Sequence, residues 1–394
     1  MKMSKNIHTG HSTYAIASYE DAVKKLRSLQ SNAAYCKSIT KNPSLRHSVN
    51  KLKDTEKYLA RSGIRLEQLD NLSVIHVAGT KGKGSTCAFT EAILRKHGFR
   101  TGFFSSPHLV TVRERLRING SPISQTDFAF HFSELYKKLE DTKEFESDMP
   151  GYFNFLTVLM FNVFLHENID VAIIEVGIGG ELDCTNVVRN PVCVGITSLG
   201  LDHTFLLGNT IEEIAFQKSG IFKPNTIAFT VPQPKEALQV LKKRAIEKQC
   251  ILQIIPSFQN YEWANKLLMN KKLSDIQQQN ASLAVQLAVE WINFQTNVKH
   301  SSTINSNIYY KKCHSSFYGS METSNKSIHF EKQDDIYEKC NTKDVSYENI
   351  VAALSSYVWP GRQQILKSTI IDFYLDGAHT LESMDCCISW FNSQ

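Results

Sequence analysis

Between residues 71 and 231, short apolar runs alternate with stretches in which apolar residues recur at helical spacing. The runs Ser73–Ala78, Thr101–Ser105, Val171–Val176, Val192–Ser198 and Thr226–Val231 have the length of strands. Between them, Ser85–His97, Gln125–Glu140, Phe153–His166 and Ile211–Ser219 have the period of helices. This alternation predicts an α/β fold, a doubly wound and mainly parallel sheet covered by helices. Each strand ends at a cluster of Gly, Ser, Thr, Asp or His, and the carboxyl edge of such a sheet is where ligands bind.

Upstream, Tyr19–Leu29 and Ser48–Ser62 have helical periodicity and predict an N-terminal helical flank over residues 1–70. The sheet domain is expected at 71–355. Within it Ala281–Ile292 reads as a helix, and the stretch 294–341, rich in Ser, Asn, Lys and Tyr, as a surface insertion or linker. After Pro360 and Gly361 a strand, Thr369–Leu375, and a helix, Leu381–Phe391, open a second α/β domain at 356–394. One strand and one helix do not make a domain, so this part is expected to be truncated.

Composition narrows the class. A chain of 394 residues exceeds the size at which single cores stop growing, and 42% hydrophobic with 21% charged residues is ordinary for a soluble globular enzyme. The net charge of +5, spread along the chain, suits a small anionic ligand and implies no nucleic-acid partner. Nine scattered cysteines without metal-ligand spacing read as reduced thiols. The longest apolar stretch, Phe153–Leu165, is broken by Asn154, Thr157 and Asn162 and is too short to span a bilayer. The opening MKMSKNIHTGHSTYAIAS has no apolar signal core and no arginine, so a cytoplasmic monomer is expected, a mitochondrial form requiring an alternative start.

Chemistry enters at Gly79-Thr80-Lys81-Gly82-Lys83-Gly84-Ser85, which follows the first strand and opens a helix. In that context backbone N–H groups and a helix N-terminus cradle phosphates, with Lys83 placed to neutralise the outer ones. Gly84 stands where the common phosphate-loop pattern has Ser or Thr. Glu175 ends the run DVAIIEV before Gly177-Ile178-Gly179-Gly180, and an acid held there suits Mg²⁺. Asp202-His203 ends the next strand, and Ser105-Ser106 the strand after the loop. Taken singly, these would be a capping acid, a structural histidine and turn residues. Lys218 alone reads as a surface lysine and Asn280 as the N-cap of the helix it precedes. Trp359-Pro360-Gly361-Arg362 and Asp376-Gly377-Ala378-His379 offer an arginine for phosphate and an acid for a ribose hydroxyl.

Together with SSPHL (105–109), VRERLRING (112–120), EVGIGGELDCTN (175–186) and LDHTFLLGNTIEEIAFQKSGIF (201–222), these motifs resemble the folylpolyglutamate synthases of the Mur-ligase-like superfamily. DGAHT and DCTN are similar to the eukaryotic branch. The resemblance implies a Mur-ligase-like central domain and puts Gly82, Lys83, Gly84, Ser85, Asn280, Arg362 and Asp376 on ATP. It puts Ser106, Glu175 and His203 on magnesium, makes Lys218 a carbamylated lysine, and faces His379 to the same cleft, so that Lys83, Lys218 and His379 are the catalytic set. The implied activity is that of a tetrahydrofolate:L-glutamate γ-ligase working through an acyl phosphate and releasing ADP. Folate, L-glutamate and ATP are the implied partners, with Mg²⁺ and optionally a monovalent cation. A bifunctional dihydrofolate and folylpolyglutamate synthase, a P-loop kinase or NTPase, and a truncated non-catalytic relative remain alternatives. With the second domain cut short, weak MgATP binding and little turnover are expected of the 394 residues.

Overall fold

The computed structural model describes residues 18–29, 51–300 and 345–394. Three helices come first, α1 (Tyr19–Ser28), α2 (Lys51–Ser62) and α3 (Leu66–Asp70). The alternating part runs β1 (Val74–Ala78), α4 (Lys83–Lys96), β2 (Thr101–Phe104), β3 (Leu116–Ile118), β4 (Ser121–Pro122), α5 (Gln125–Asp141), α6 (Tyr152–His166), β5 (Val171–Glu175) and β6 (Cys193–Ile196). It continues with α7 (Thr204–Leu207), α8 (Ile211–Lys218), β7 (Ile227–Thr230), α9 (Lys235–Glu247), β8 (Ile251–Ile254), α10 (Ala264–Asn270), α11 (Asp275–His300) and α12 (Tyr347–Ser356). A hairpin of β9 (Gln364–Leu366) and β10 (Phe373–Leu375) and then α13 (Leu381–Asn392) follow.

One eight-stranded sheet has the order β4-β3-β2-β5-β1-β6-β7-β8, parallel from β2 to β8. All five expected strands lie in it. Burial of the sheet on both faces explains why they read as continuous apolar runs. Val74, Phe104, Ala172 and Ile174 point into a core with α1, α2, α5 and α6, while Ile75, Val77, Phe103 and Ile173 point into one with α4, α11 and α12. Ala78, Val176, Val194 and Ile196 pack with α8 and α9 in a third cluster. The chain leaves β1 toward β2 on one side and later returns to β6 on the other. The loop after β1 therefore stands where the winding reverses, the position at which open sheets leave a crevice.

Some polar groups inside these layers find partners there. Trp291 of α11, fully buried, donates its indole N–H to Ser73 Oγ at 2.7 Å. In α6 the Thr157 hydroxyl bonds the Phe153 carbonyl at 3.0 Å and the Asn162 side-chain amide donates to the Val158 carbonyl at 2.8 Å, so these two polar breaks in the apolar run cost little. Ser124 caps α5, and Thr210 with Glu213 forms a capping box on α8.

One hairpin lies outside the expected elements, and the bounds of an expected helix and of an expected strand need correction. The VRERLRING segment is a 3-10 turn (Val112–Arg115) and an antiparallel hairpin, with Asn119 (φ 48°) and Gly120 (φ 78°) as its two-residue turn. The helix expected at Ala281–Ile292 begins at Asp275 and ends at His300, so residues 294–300 of the expected insertion are helical, while 301–341 lie outside the described residues. The expected strand Thr369–Leu375 shrinks to Phe373–Leu375, paired antiparallel with Gln364–Leu366. Between them Ser368 Oγ donates to the Ile371 carbonyl (2.6 Å) and accepts from the Ile371 N–H (3.1 Å), turning the chain where an extended run was expected.

Candidate active site

The loop after β1 is fixed from beneath. The amides of Thr80 and Lys81 donate to the Ser198 carbonyl at 2.9 and 3.2 Å, and the Thr80 hydroxyl bonds the Gly200 carbonyl at 3.1 Å. Gly82 is the N-cap of α4 in a left-handed conformation (φ 89°), and a Cβ there would stand 2.3 Å from Asn280 Oδ1. Gly79 is equally confined, since a Cβ would meet Thr197 Oγ1 at 1.8 Å. Glycine is thus required by space as well as by φ. The first amides of α4, at Lys83, Gly84 and Ser85, precede the first intrahelical bond and so have no intrahelical acceptor, as an anion site requires.

Two lysines converge on this loop. Lys83 Nζ donates to the carbonyls of Gly79 (3.1 Å) and Thr80 (3.3 Å), and Lys218 Nζ, from the end of α8, donates to the same Gly79 carbonyl at 2.6 Å. Lys218 is 3% exposed. Burial, reinforced by the charge of Lys83, holds its pKa well below that of an ordinary lysine. It is not the surface lysine its local sequence suggests. Lys81 pairs with Asp202 at 3.1 Å. His203, left-handed at φ 50°, heads α7, and burial lowers its pKa, with Asp202 opposing and Lys83, Lys218 and Lys81 adding to the effect.

Glu175 completes the cluster. Its carboxylate is buried, accepts the Ser106 N–H at 3.0 Å, and lies 3.4 Å from where a Cβ on Gly84 would be. Ser106 meets it through the backbone amide. Burial raises the Glu175 pKa, while Lys83 and more weakly Arg362 and Arg115 oppose that rise. The three arginines of the VRERLRING segment divide. Arg113 bonds the Ile123 carbonyl (2.9 Å), Arg117 lies over the Trp359 ring (5.1 Å), and Arg115 bonds His108 Nδ1 (2.8 Å) while acting on Glu175.

The C-terminal motifs reach the loop through Trp359, whose ring lies 5.5 Å from that of Phe103 and whose Nε1 lies 3.5 Å from the position of a Gly84 Cβ. Arg362 packs on Gly377. Asp376 accepts the N–H groups of Gln363 and Ala378, both at 2.8 Å, and so ties the WPGR and DGAHT turns together. His379 is exposed, with Nδ1 2.9 Å from the Gly377 carbonyl, at the rim rather than among the lysines. Asn280 is no N-cap: it lies in the second turn of α11, buried, with Oδ1 3.5 Å from Thr86 Oγ1 and against Gly82.

Asp183 escaped notice in the sequence. Its Oδ1 accepts from the Thr185 amide (3.0 Å) and hydroxyl (2.6 Å), its Oδ2 from the Ile178 amide (3.1 Å), and Thr185 Oγ1 stands 2.8 Å from His76 Nε2. Burial brings the His76 pKa down to about 3, so that ring is neutral. The chain of bonds fixes the turn 177–180. Gly180 of that turn presses on α8, where a Cβ would stand 2.8 Å from the Lys218 carbonyl. The Asp-x-Thr spacing of DCTN is the local signal that could have revealed it.

No protein-family model matches the chain. It is 46% identical over 378 residues to the bovine folylpolyglutamate synthase described as mitochondrial, covering 95% of this chain and 60% of that one. It is 40% identical over 380 residues to a Caenorhabditis elegans protein described provisionally as a folylpolyglutamate synthase, covering 95% and 67%. The chain belongs to the folylpolyglutamate synthase family. It spans 60% of the length of the bovine relative and 59% of the human one. Among solved structures, an FPGS–AMPPCP complex superposes with a TM-score of 0.70 at 22% identity, covering 96% of this chain and 80% of that one. Folylpolyglutamate synthase from Thermotoga maritima gives 0.67 at 23%, covering 95% and 74%. The α/β fold with its mainly parallel sheet is therefore the fold of folylpolyglutamate synthases. Among the described residues no helix is long and apolar enough to cross a membrane.

Proposed function

We propose that the chain acts in ATP-dependent ligation of L-glutamate to the γ-carboxylate of a tetrahydrofolate, releasing ADP. The observation that carries this reading is the meeting of Lys83, Lys218, His203 and Glu175 around a glycine loop at the reversal point of the sheet. Lys83 is the hub, its charge acting on the other three. A folate carboxylate oxygen attacks the γ-phosphorus of ATP, ADP leaves, and the glutamate amine displaces phosphate from the acyl phosphate. No protein nucleophile is needed, so the protein contributes position and charge. The amides of Lys83, Gly84 and Ser85 receive phosphate oxygens, and the Lys83 ammonium exchanges two carbonyls for the transferring group. Gly82, Asn280, Arg362 and Asp376 complete the nucleotide side. Asn280 shapes the loop at Gly82, and Asp376 sets the turn that carries Arg362.

A buried carboxylate and a neutral imidazole beside the loop fit a divalent cation, and we assign Mg²⁺ to Glu175, His203 and Ser106. When bound, it neutralises charge on the phosphate oxygens. Lys218, whose pKa burial holds well below that of an ordinary lysine, is suited to take up CO₂ on its amine as a carbamate, losing one proton and becoming an oxygen ligand. We give His379 a place on the substrate rim. The bovine and human relatives are described as mitochondrial, and we extend that location to this chain as an alternative to the cytoplasm.

The test is ADP release by the full chain with ATP, Mg²⁺ and tetrahydrofolate, with and without glutamate. Weak release that requires glutamate, and that Lys83→Ala reduces by at least about a hundredfold, is expected, given that loss of one stabilising donor costs about that much. Release indifferent to glutamate would point to a kinase or NTPase instead.

A further inference from the structure

A second constellation lies far from the loop, on the outer face of the helical layer. His131, on α5, is only 8% exposed, and its ring packs edge-on to that of Phe130 with centroids 5.2 Å apart. Its ring faces that of His166, the last residue of α6, with centroids 4.8 Å apart and planes at 74°. Glu167 follows directly, its amide closing α6 on the Val163 carbonyl at 2.8 Å. One ligand atom from each of the three residues lies within 4.8 Å of the other two.

The geometry points to a zinc site formed by His131, His166 and Glu167, with water as the fourth ligand. Three details support it. The distance from His166 Nδ1 to Glu167 Oε1 is 3.4 Å. A tetrahedral ion with bonds of about 2.1 Å needs donor separations of about 3.4 Å, so one edge is already set. The Glu167 carboxylate divides its oxygens: Oε1 faces His166, while Oε2 is held by an ion pair with Arg100 Nη2. A ligating carboxylate fixed through its other oxygen is the usual outer support of a metal site. Finally, His131 is held by the core whereas the His166 side chain is 63% exposed, so His166 is the ligand with freedom to adjust. Two imidazoles and one carboxylate suit Zn²⁺ and not Mg²⁺, which takes oxygen ligands. The bound ion would tie α5 to the end of α6 and, through Arg100, to the start of β2. Its role is to brace the helical layer, independently of the chemistry at the loop.

The experiment is titration of the full chain with Zn²⁺ alone against a chromogenic chelator, for wild type, His166→Ala and Glu167→Gln. Both substitutions are outside the core, so folding is not at stake. The chain has thirteen histidines and nine cysteines, and the comparison between variants removes their background. One equivalent of zinc should be lost or weakened at least about tenfold in His166→Ala, and saturating Mg²⁺ should not displace it from wild type. Zinc should also raise the unfolding temperature of wild type but not of His166→Ala. Equal zinc stoichiometry and affinity in wild type and both variants, or displacement by Mg²⁺, would overturn the assignment.

Discussion

Replacing Gly82 with alanine tests how the loop is held. The backbone there is left-handed at φ 89°, which costs an L residue about 1–2 kcal/mol. The new Cβ would stand 2.3 Å from Asn280 Oδ1 and 3.0 Å from its Cγ, so the Asn280 side chain must move, although α11 holds its backbone. Moving it breaks the long contact with Thr86 Oγ1, a loss of about 0.5–1.5 kcal/mol. The sum is about 1.5–3.5 kcal/mol, read from urea unfolding followed by circular dichroism. A double-mutant cycle with Asn280→Ala separates the parts. With Asn280 truncated the steric part disappears, and Gly82→Ala should then cost only the 1–2 kcal/mol or so of backbone strain. A loss below about 0.5 kcal/mol in the wild-type background, or an equal loss in both backgrounds, would refute the packing argument.

Two further predictions concern the charged groups. Glu175→Gln and His203→Ala should each raise the Mg²⁺ needed for half-maximal nucleotide binding by at least about tenfold, and unchanged titrations in both would remove the metal assignment. Lys218 has a folded pKa depressed from 10.5, so the unfolded state binds more protons and the stability it withholds returns as pH rises toward that value. In CO₂-free buffer, wild type should therefore gain more stability between pH 7 and pH 9 than Lys218→Met, by up to about 1.4 kcal/mol per pH unit. Equal gains would show that Lys218 is not buried as a neutral amine.

What the sequence revealed follows the reach of each signal. The strands of the parallel sheet were legible because burial on both faces leaves a mark within the strand itself. The β3–β4 hairpin carries its own mark, Asn119-Gly120, but only two or three residues on each side pair, too few for a period to register. Helix α11 was read late because its first turn, Asp275-Ile276-Gln277-Gln278-Gln279, is mostly polar and continuous burial starts only at Asn280. The polar Asn280 just before an apolar run imitates a cap when it in fact packs on Gly82. Lys218 shows the limit most plainly. Its neighbours in sequence describe an amphipathic helix, while its backbone packs on the turn at Gly180, thirty-eight positions away and held by Asp183, and its Nζ bonds the Gly79 carbonyl of the loop. That contact exists only once β5 and α8 are brought together.

The Gly79 carbonyl takes a bond from each of two lysines that come from different helices. A ligand that draws Lys83 off this oxygen takes a cation away from beside Lys218, and the anion it brings adds a favourable field. Lys218 then binds a proton more readily. Filling of the loop and the protonation of a residue on α8 are thus a single linked equilibrium, and by reciprocity a change at Lys218 shifts the affinity of the loop by the same factor.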